Sequence, residues 1–386
     1  MNNTMLSNIF IYIFFTLIAT EIYIYLLFIR KQVKNVVLRS LWFLPSFLLL
    51  VALFAFIFGK ISSNSGGIFM IIYLSLTLPK ITFSIISMLD IPLRFFFKLR
   101  IYPFTIIALI VSATVLYIMI YGSVIGKTKI IVKEVTFCSP NLPESFEGFR
   151  IVHISDLHLE YWKDTILISK IVEIINSQNS DIVAFTGDLV HFRTSELDGF
   201  EEILSRIKAK YGVFSVLGNH DYGTYVKWKS VMEQAENLLD LHQRIEKMNW
   251  ILLNNEHVFI SNGTDLIALI GVENDGEGRF AGSGDLKKAM MGAGIANFKI
   301  LLTHNPSHWR REVLDTDIDL TLAGHSHGMQ FAIGKLSFAT LRYKEWGGMY
   351  LDGNQGLYVN LGIGNVGIPF RFGALPEITV ISLSKN

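Results

Sequence analysis

The back two thirds of this chain carry five short clusters of residues able to hold a metal ion: Asp156-Leu-His158, Gly187-Asp188, Gly218-Asn219-His220-Asp221, His304 after "ILLT", and Gly324-His325-Ser326-His327. Carboxylate, imidazole and amide oxygen form a ligand set suited to Zn, Mn or Fe, and there are enough of them for two ions if one carboxylate is shared. Asp156 and His158 flank Leu157, and His325 and His327 flank Ser326. On an extended chain both members of each pair therefore emerge on one face. Taken singly, each residue has an ordinary explanation. An Asp after a strand caps a turn or helix, a His is hydrogen-bonded in a core, and a preceding glycine marks a turn. Five such clusters in one domain, all at strand ends, point instead to a shared site.

The elements that must position these clusters are legible around them. "FRIVHIS", "DIVAFT", "YGVFSVL", "LIALIGV" and "FKILLTH" read as buried strands bounded by polar or glycine residues. Residues 163–178 and 224–248 carry apolar positions at helical spacing, so the domain is α/β and layered. His153 shares a face with the Asp156 cluster only if its strand stays regular, and it is left without a role. The sequence shows no internal repeat, low-complexity tract or proline-rich linker, and "GSVIGKTK" is the one hinge ahead of this domain.

At 386 residues, 51% hydrophobic and with mean hydropathy +0.41, the chain is too apolar for an ordinary soluble protein. Residues 1–125 hold nine Lys/Arg against two acids, and the remainder 25 against 31, so a net +1 hides two parts of about +7 and −6. Four apolar stretches, Met5 to Phe28, Leu41 to Phe58, Ile68 to Met88 and Tyr102 to Ile125, are each long enough to cross a ~30 Å hydrocarbon layer. The first lacks a basic lead-in and a cleavage site and reads as a retained span. Arg30, Lys31, Lys34 and Arg39, then Arg94, Lys98 and Arg100, place the loops between spans one and two and between three and four in the cytoplasm. Both the N-terminus and everything after Ile125 are then expected outside it. Glu21 and Lys80 interrupt the apolar runs. Counted from the basic residues that follow them, they differ in depth by about 7 Å, within reach of a pair, while the plainer reading of Lys80 beside Pro79 is a kink or a snorkelling side chain. The single cysteine, Cys138, excludes an internal disulfide framework. The expected organisation is a four-helix membrane domain over 1–125, a connector over 126–148 and the metal-site domain over 149–386.

The order D-x-H, G-D, G-N-H-D, H, G-H-x-H across residues 156–327 resembles the calcineurin-like dinuclear metallophosphoesterase superfamily. The apolar front and the tail "YVNLGIGNVGIPFRFGALPEITVISL" are similar to its exported, membrane-associated bacterial branch. The resemblance implies a four-layer α/β/β/α sandwich and two divalent transition-metal ions (Mn, Zn or Fe). By the same resemblance Asp156, His158 and His327 hold one ion, Asn219, His304 and His325 the other, and Asp188 bridges them. His220 would protonate the leaving oxygen and Asp221 would orient its ring. "GDLVHFR" and "GNHD" depart from the pattern of protein serine/threonine phosphatases. A domain near −6 with no basic run disfavours a nucleic-acid substrate.

Confinement to a bacterial cell membrane favours a lipid-linked phosphate or pyrophosphate as substrate. The alternative is a small soluble phosphoester cleaved outside the cytoplasm with the helices only an anchor, and further off stand a non-catalytic scaffold and a sensor or transporter. The glycine-rich loop 273–285 could rim the site. Two residues are candidates for substrate contact: His191, otherwise a solvated position, and Arg371, otherwise a surface ion pair.

Overall fold

The structure, a computed structural model, describes residues 3–57, 64–97, 102–162, 165–276 and 282–385. Phe58, Lys98, Arg100, the first two positions of the expected helix at 163 and residues 277–281 of the glycine-rich loop lie outside the described residues. The chain divides into two compact units, Met1–Ile125 with Gly367–Phe370, and Gly126–Val366 with Arg371–Asn386. This division by contacts differs from the expected boundaries at two places. Residues 367–370 group with the first unit, and the expected connector belongs to the second, where part of it is a strand.

In the first unit, three helices among the described residues are long and apolar enough to cross a membrane: Val36–Ala55, Gly66–Phe97 and Pro103–Thr128. The stretch expected as span one is helical over Asn3–Ile24 and continues through a wider turn, Tyr25–Ile29. Pro79 lies inside an unbroken helix, Asn64–Met88. Asp90 accepts the Phe104 and Thr105 amides at 3.1 and 2.7 Å, satisfying donors at the start of helix Pro103–Val124. Lys80 Nζ and Ser46 Oγ both donate to Glu21 Oε1, and Lys80 lies 5.1 Å from the centre of the Trp42 ring. Glu21 and Lys80 thus form an ion pair, with Glu21 buried and Lys80 partly so. Glu21→Ala should strand the Lys80 ammonium and cost about 3–5 kcal/mol, read as lost monodisperse protein on size-exclusion chromatography. Glu21→Ala/Lys80→Ala should recover most of it, and a fully tolerated single change would refute the pairing.

The second unit contains β1 (Ile131–Ser139), β2 (Arg150–Ile154), β3 (Ile182–Thr186), β4 (Val213–Val216), β5 (Trp250–Leu252), β6 (Glu256–Asn262), β7 (Asp265–Gly271), β8 (Phe298–Leu302) and β9 (Leu320–Ala323). After them come β10 (Ala332–Ile333), β11 (Leu336–Ser337), β12 (Gly348–Asp352), β13 (Gln355–Val359) and β14 (Glu377–Lys385). They form two six-stranded sheets, ordered β1-β14-β2-β3-β4-β5 and β12-β13-β9-β8-β7-β6, and a small hairpin, β10-β11. β2 to β5 run parallel, as do β7, β8, β9 and β13. β2, β3, β4 and β8 are buried almost throughout, which is why they read as continuous apolar runs without alternation.

One core cluster joins residues of both sheets, among them Ile151, Ala184, Leu269 and Ile300. A second packs Val152, Ile154, Val183 and Phe185 against helix Thr165–Ser177 and helix Val231–Lys247. A third packs Ala268, Ile270 and Leu301 against Leu286, Ala289 and Trp309 on short helices. The later helix starts at Val231 rather than 224 because Ser230 caps it, accepting the Glu233 amide at 3.1 Å. β1, expected as connector, pairs in parallel with β14 over nine positions.

Candidate metal centre

All five clusters follow the C-terminal ends of β2, β3, β4, β8 and β9, the usual place for a site in parallel α/β sheets. Extended alternation does not bring them together. β2 ends at Ile154, and Asp156, His158, Asp188, His325 and His327 all have left-handed backbone, with φ between 46° and 68°. Asp and His tolerate that region better than most residues, and such strain persists only where surrounding packing imposes it. Gly187 and Gly218 are more than turn punctuation. A Cβ on Gly187 would meet the Gly218 backbone at 2.4 Å, and one on Gly218 would meet Asp188 Oδ1 at 2.2 Å.

Asp188 is central. Its Oδ2 lies 3.5 Å from His158 Nε2 and 3.2 Å from His304 Nε2, while its Oδ1 accepts the His220 amide at 2.8 Å. On one side, His327 Nε2 is 3.1 Å from both His158 Nε2 and Asp156 Oδ1. On the other, His304 Nε2 is 3.1 Å from both Asn219 Oδ1 and His325 Nδ1. Asp156/His158/His327 and Asp188/His304/His325 are therefore two sets of ligand atoms, each within 4.8 Å of one another.

These residues fit a pair of cations. Asp156 Oδ1 is buried and makes no well-oriented hydrogen bond, an arrangement unfavourable without a positive charge beside it. Burial alone would raise the Asp188 pKa, yet the imidazoles of His304 and His220 hold it well below the carboxylate range. Burial pulls His304 down, but Asp188 and then Asp156 outweigh it and lift His304 to about 9.

Outer contacts fix which nitrogen faces the centre. His304 Nδ1 donates to the Thr186 carbonyl at 2.7 Å, leaving Nε2 turned toward the centre. His325 Nε2 is 2.8 Å from Tyr343 Oη, so its Nδ1 faces inward. His220 Nδ1 donates to the His191 carbonyl at 2.7 Å, and its ring stacks between those of His191 and Tyr225.

Three sequence expectations change here. Asp221 does not touch the His220 ring. Its carboxylate accepts the amides of Asp188, Leu189, Val190 and Gly218 at 2.8–3.1 Å. Burial and then Asp188 push its pKa up to about 7, against the pull of those donors. Arg371 is neither a surface ion pair nor open to substrate. It is fully buried and donates to the carbonyls of Gly364, Leu361 and Ala374 and toward His327 Nδ1. His191 is buried rather than solvated, with its Nδ1 3.0 Å from His158 Nδ1 and its amide on Glu196 at 2.6 Å. His153 is also buried, 2.9 Å from the Thr186 hydroxyl. Tyr343 and Glu196 were missed, since a lone Tyr or Glu in an irregular stretch carries no spacing signal.

His191 thus orients two rings, His158 through its side chain and His220 through its carbonyl. Burial and then His220 hold its own pKa near 3, so a lone pair is present to accept the His158 Nδ1 proton. His191→Leu should weaken metal binding about 10–100-fold, measured by chelator competition. His191→Asn, which keeps an acceptor near that position, should stay within a few-fold of wild type. Equal loss in both variants would refute the acceptor role.

Residues 149–329 match the calcineurin-like phosphoesterase model, and residues 6–127 match a probable calcineurin-like phosphoesterase transmembrane domain. A "Transmembrane protein with metallophosphoesterase domain" from Danio rerio is 34% identical over 292 residues, 73% of this chain and 63% of that protein. The chain thus spans just under two thirds of that relative's length. An uncharacterized metallophosphoesterase, YkoQ, from Bacillus subtilis is 29% identical over 240 residues, 59% of this chain and 81% of its own length. "UDP-2,3-diacylglucosamine pyrophosphatase LpxG" of Chlamydia trachomatis is 28% identical over 299 residues, 64% of this chain and 88% of its own.

Proposed function

The chain carries a calcineurin-like phosphoesterase domain joined to a transmembrane phosphoesterase region, and on that premise we propose that it is a metal-dependent hydrolase of a phosphoester or pyrophosphate bond in a lipid-linked substrate at the membrane surface. The observation that carries the reading is the position of Asp188 Oδ2 between His158 Nε2 and His304 Nε2. We assign Asp156, His158 and His327 to one divalent ion, Asn219, His304 and His325 to a second, and Asp188 to both. When bound, such a pair polarises phosphoryl oxygens and makes a coordinated water nucleophilic near neutral pH.

The chain's own residues supply the rest. His220, its Nδ1 fixed on the His191 carbonyl, presents Nε2 as proton donor to the leaving oxygen. A cavity of about 190 Å³ lined by Asn219, His325, Arg342 and Tyr343 adjoins the centre, and its arginine suits a phosphate. A catalytic unit built as a four-layer α/β/β/α sandwich agrees with three cores around two sheets. Four spans with an extracytoplasmic catalytic unit, in a bacterial cell membrane, agree with the charge bias of the loops. The lipid-linked substrate draws support from the membrane helices and from the pyrophosphatase relative in Chlamydia.

The test is turnover of three substrates by the purified full chain: a lipid-linked pyrophosphate in vesicles, a soluble aryl phosphodiester and an aryl phosphomonoester, each with metal content measured in parallel. Preference for the lipid pyrophosphate is expected. Preference for a soluble ester would make the helices an anchor, and absence of metal would remove the assignment altogether.

A further inference from the structure

The segment after the last metal-ligand cluster is a hairpin whose outward face is apolar. Ile333 and Leu336 are cross-strand partners in β10 and β11, and the alternate pair, Ala332 and Ser337, points inward and is buried. Phe338 follows on the side of Leu336 and stacks on Phe331 at 5.5 Å. Ile333, Leu336, Phe338 and Leu341 are between 56% and 85% exposed. Four large side chains so exposed within nine residues are more than the singly scattered apolar residues of an ordinary surface and mark the segment as a candidate interaction surface.

Charge distinguishes its partner. From Met329 to Lys344 there is no acid, while Lys335, Arg342 and Lys344 are exposed, in a unit that is otherwise net acidic. Apolar tips ringed by long cationic side chains are the composition of a segment that lies in the headgroup region of a bilayer. The hairpin is also tied to the metal centre: Ser337 Oγ donates to the Gly328 carbonyl at 2.7 Å, and Tyr343 Oη meets His325 Nε2 at 2.8 Å.

We propose that the hairpin 329–344 is an interfacial lipid-binding element that seats the metal centre on an anionic bilayer surface and admits substrate from it. This rests on the reading of the chain as a membrane-held phosphoesterase.

The test uses the full chain in nanodiscs containing phosphatidylglycerol. An environment-sensitive fluorophore is placed on Leu336→Cys in a Cys138→Ser background, with Met291→Cys, similarly exposed just past the end of helix Leu286–Met290, as control. The label at 336 should be blue-shifted and quenched by nitroxide-labelled lipid, and the label at 291 should not. Phe338→Ser/Leu341→Ser should raise KM severalfold for a lipid pyrophosphate in vesicles while leaving kcat/KM for a soluble aryl ester unchanged. An aqueous label at 336, or one shielded by a second copy without lipid quenching, would overturn the proposal. Absence of turnover of both the lipid pyrophosphate and the aryl ester in wild type would instead sink the phosphoesterase reading, leaving lipid quenching at 336 still readable.

Discussion

Asp188→Asn is expected to lower bound metal from about two ions per chain to one or none, and to take turnover with it. His220→Ala should remove turnover while both ions stay. The two residues are neighbours, since the His220 amide donates to Asp188 Oδ1 at 2.8 Å, yet their side chains face different tasks. Asp188 Oδ2 lies between the nitrogens of both ligand sets, so replacing one oxygen by an amide removes charge exactly where the two sets meet. A bridging amide cannot offset two cations as a carboxylate does. His220 has its Nδ1 on a carbonyl and its ring stacked between two others; it lies within 4.8 Å of ligand atoms of His158 and His191, but with Nδ1 so engaged we assign it to proton transfer and not to a metal. Its loss should cost the ~10²–10⁴-fold typical of a positioned acid or base. Metal analysis by mass spectrometry beside a turnover assay separates the two outcomes. Loss of metal in His220→Ala would make His220 a ligand and leave the leaving oxygen without its donor.

The site was legible in the sequence because its residues are rare types in tight clusters, each after a β-branched run. How they converge was not legible. Asp156 and His158 share a site through left-handed backbone beyond the end of β2, a conformation imposed by tertiary packing that alternation along a strand cannot report. β2, β3, β4, β7 and β8 could be read because they are apolar runs buried on both faces, while β9 and β13, as buried, were too short or too broken by polar residues and glycine to stand out. β1 and β12 could not, because burial along them alternates or fades and they are defined by partners far away in sequence. Arg371 shows the limit for single residues. An arginine among glycines reads as exposed, and only the fold reveals that three carbonyls of its own loop and a histidine ring surround it.

Asp221 carries the other large expectation, since the structure moves it from orienting a ring to holding a turn. Its two oxygens satisfy four backbone amides, three of them in Asp188-Leu189-Val190, and thereby fix the loop on which Asp188 stands. Asp221→Ala leaves those donors buried without an acceptor, at about 1–3 kcal/mol each where water cannot replace it. A large fall in thermal midpoint is expected, together with loss of metal, because the loop that carries Asp188 loses its support. Asp221→Asn keeps one acceptor oxygen and turns an N–H toward the remaining amides, so it should fall between wild type and Asp221→Ala in both readouts. Were the carboxylate acting on the His220 ring, Asp221→Asn would instead stay folded and metal-loaded and lose turnover alone. A thermal melt with metal analysis on the same samples distinguishes the two roles, and the four amide contacts favour the first.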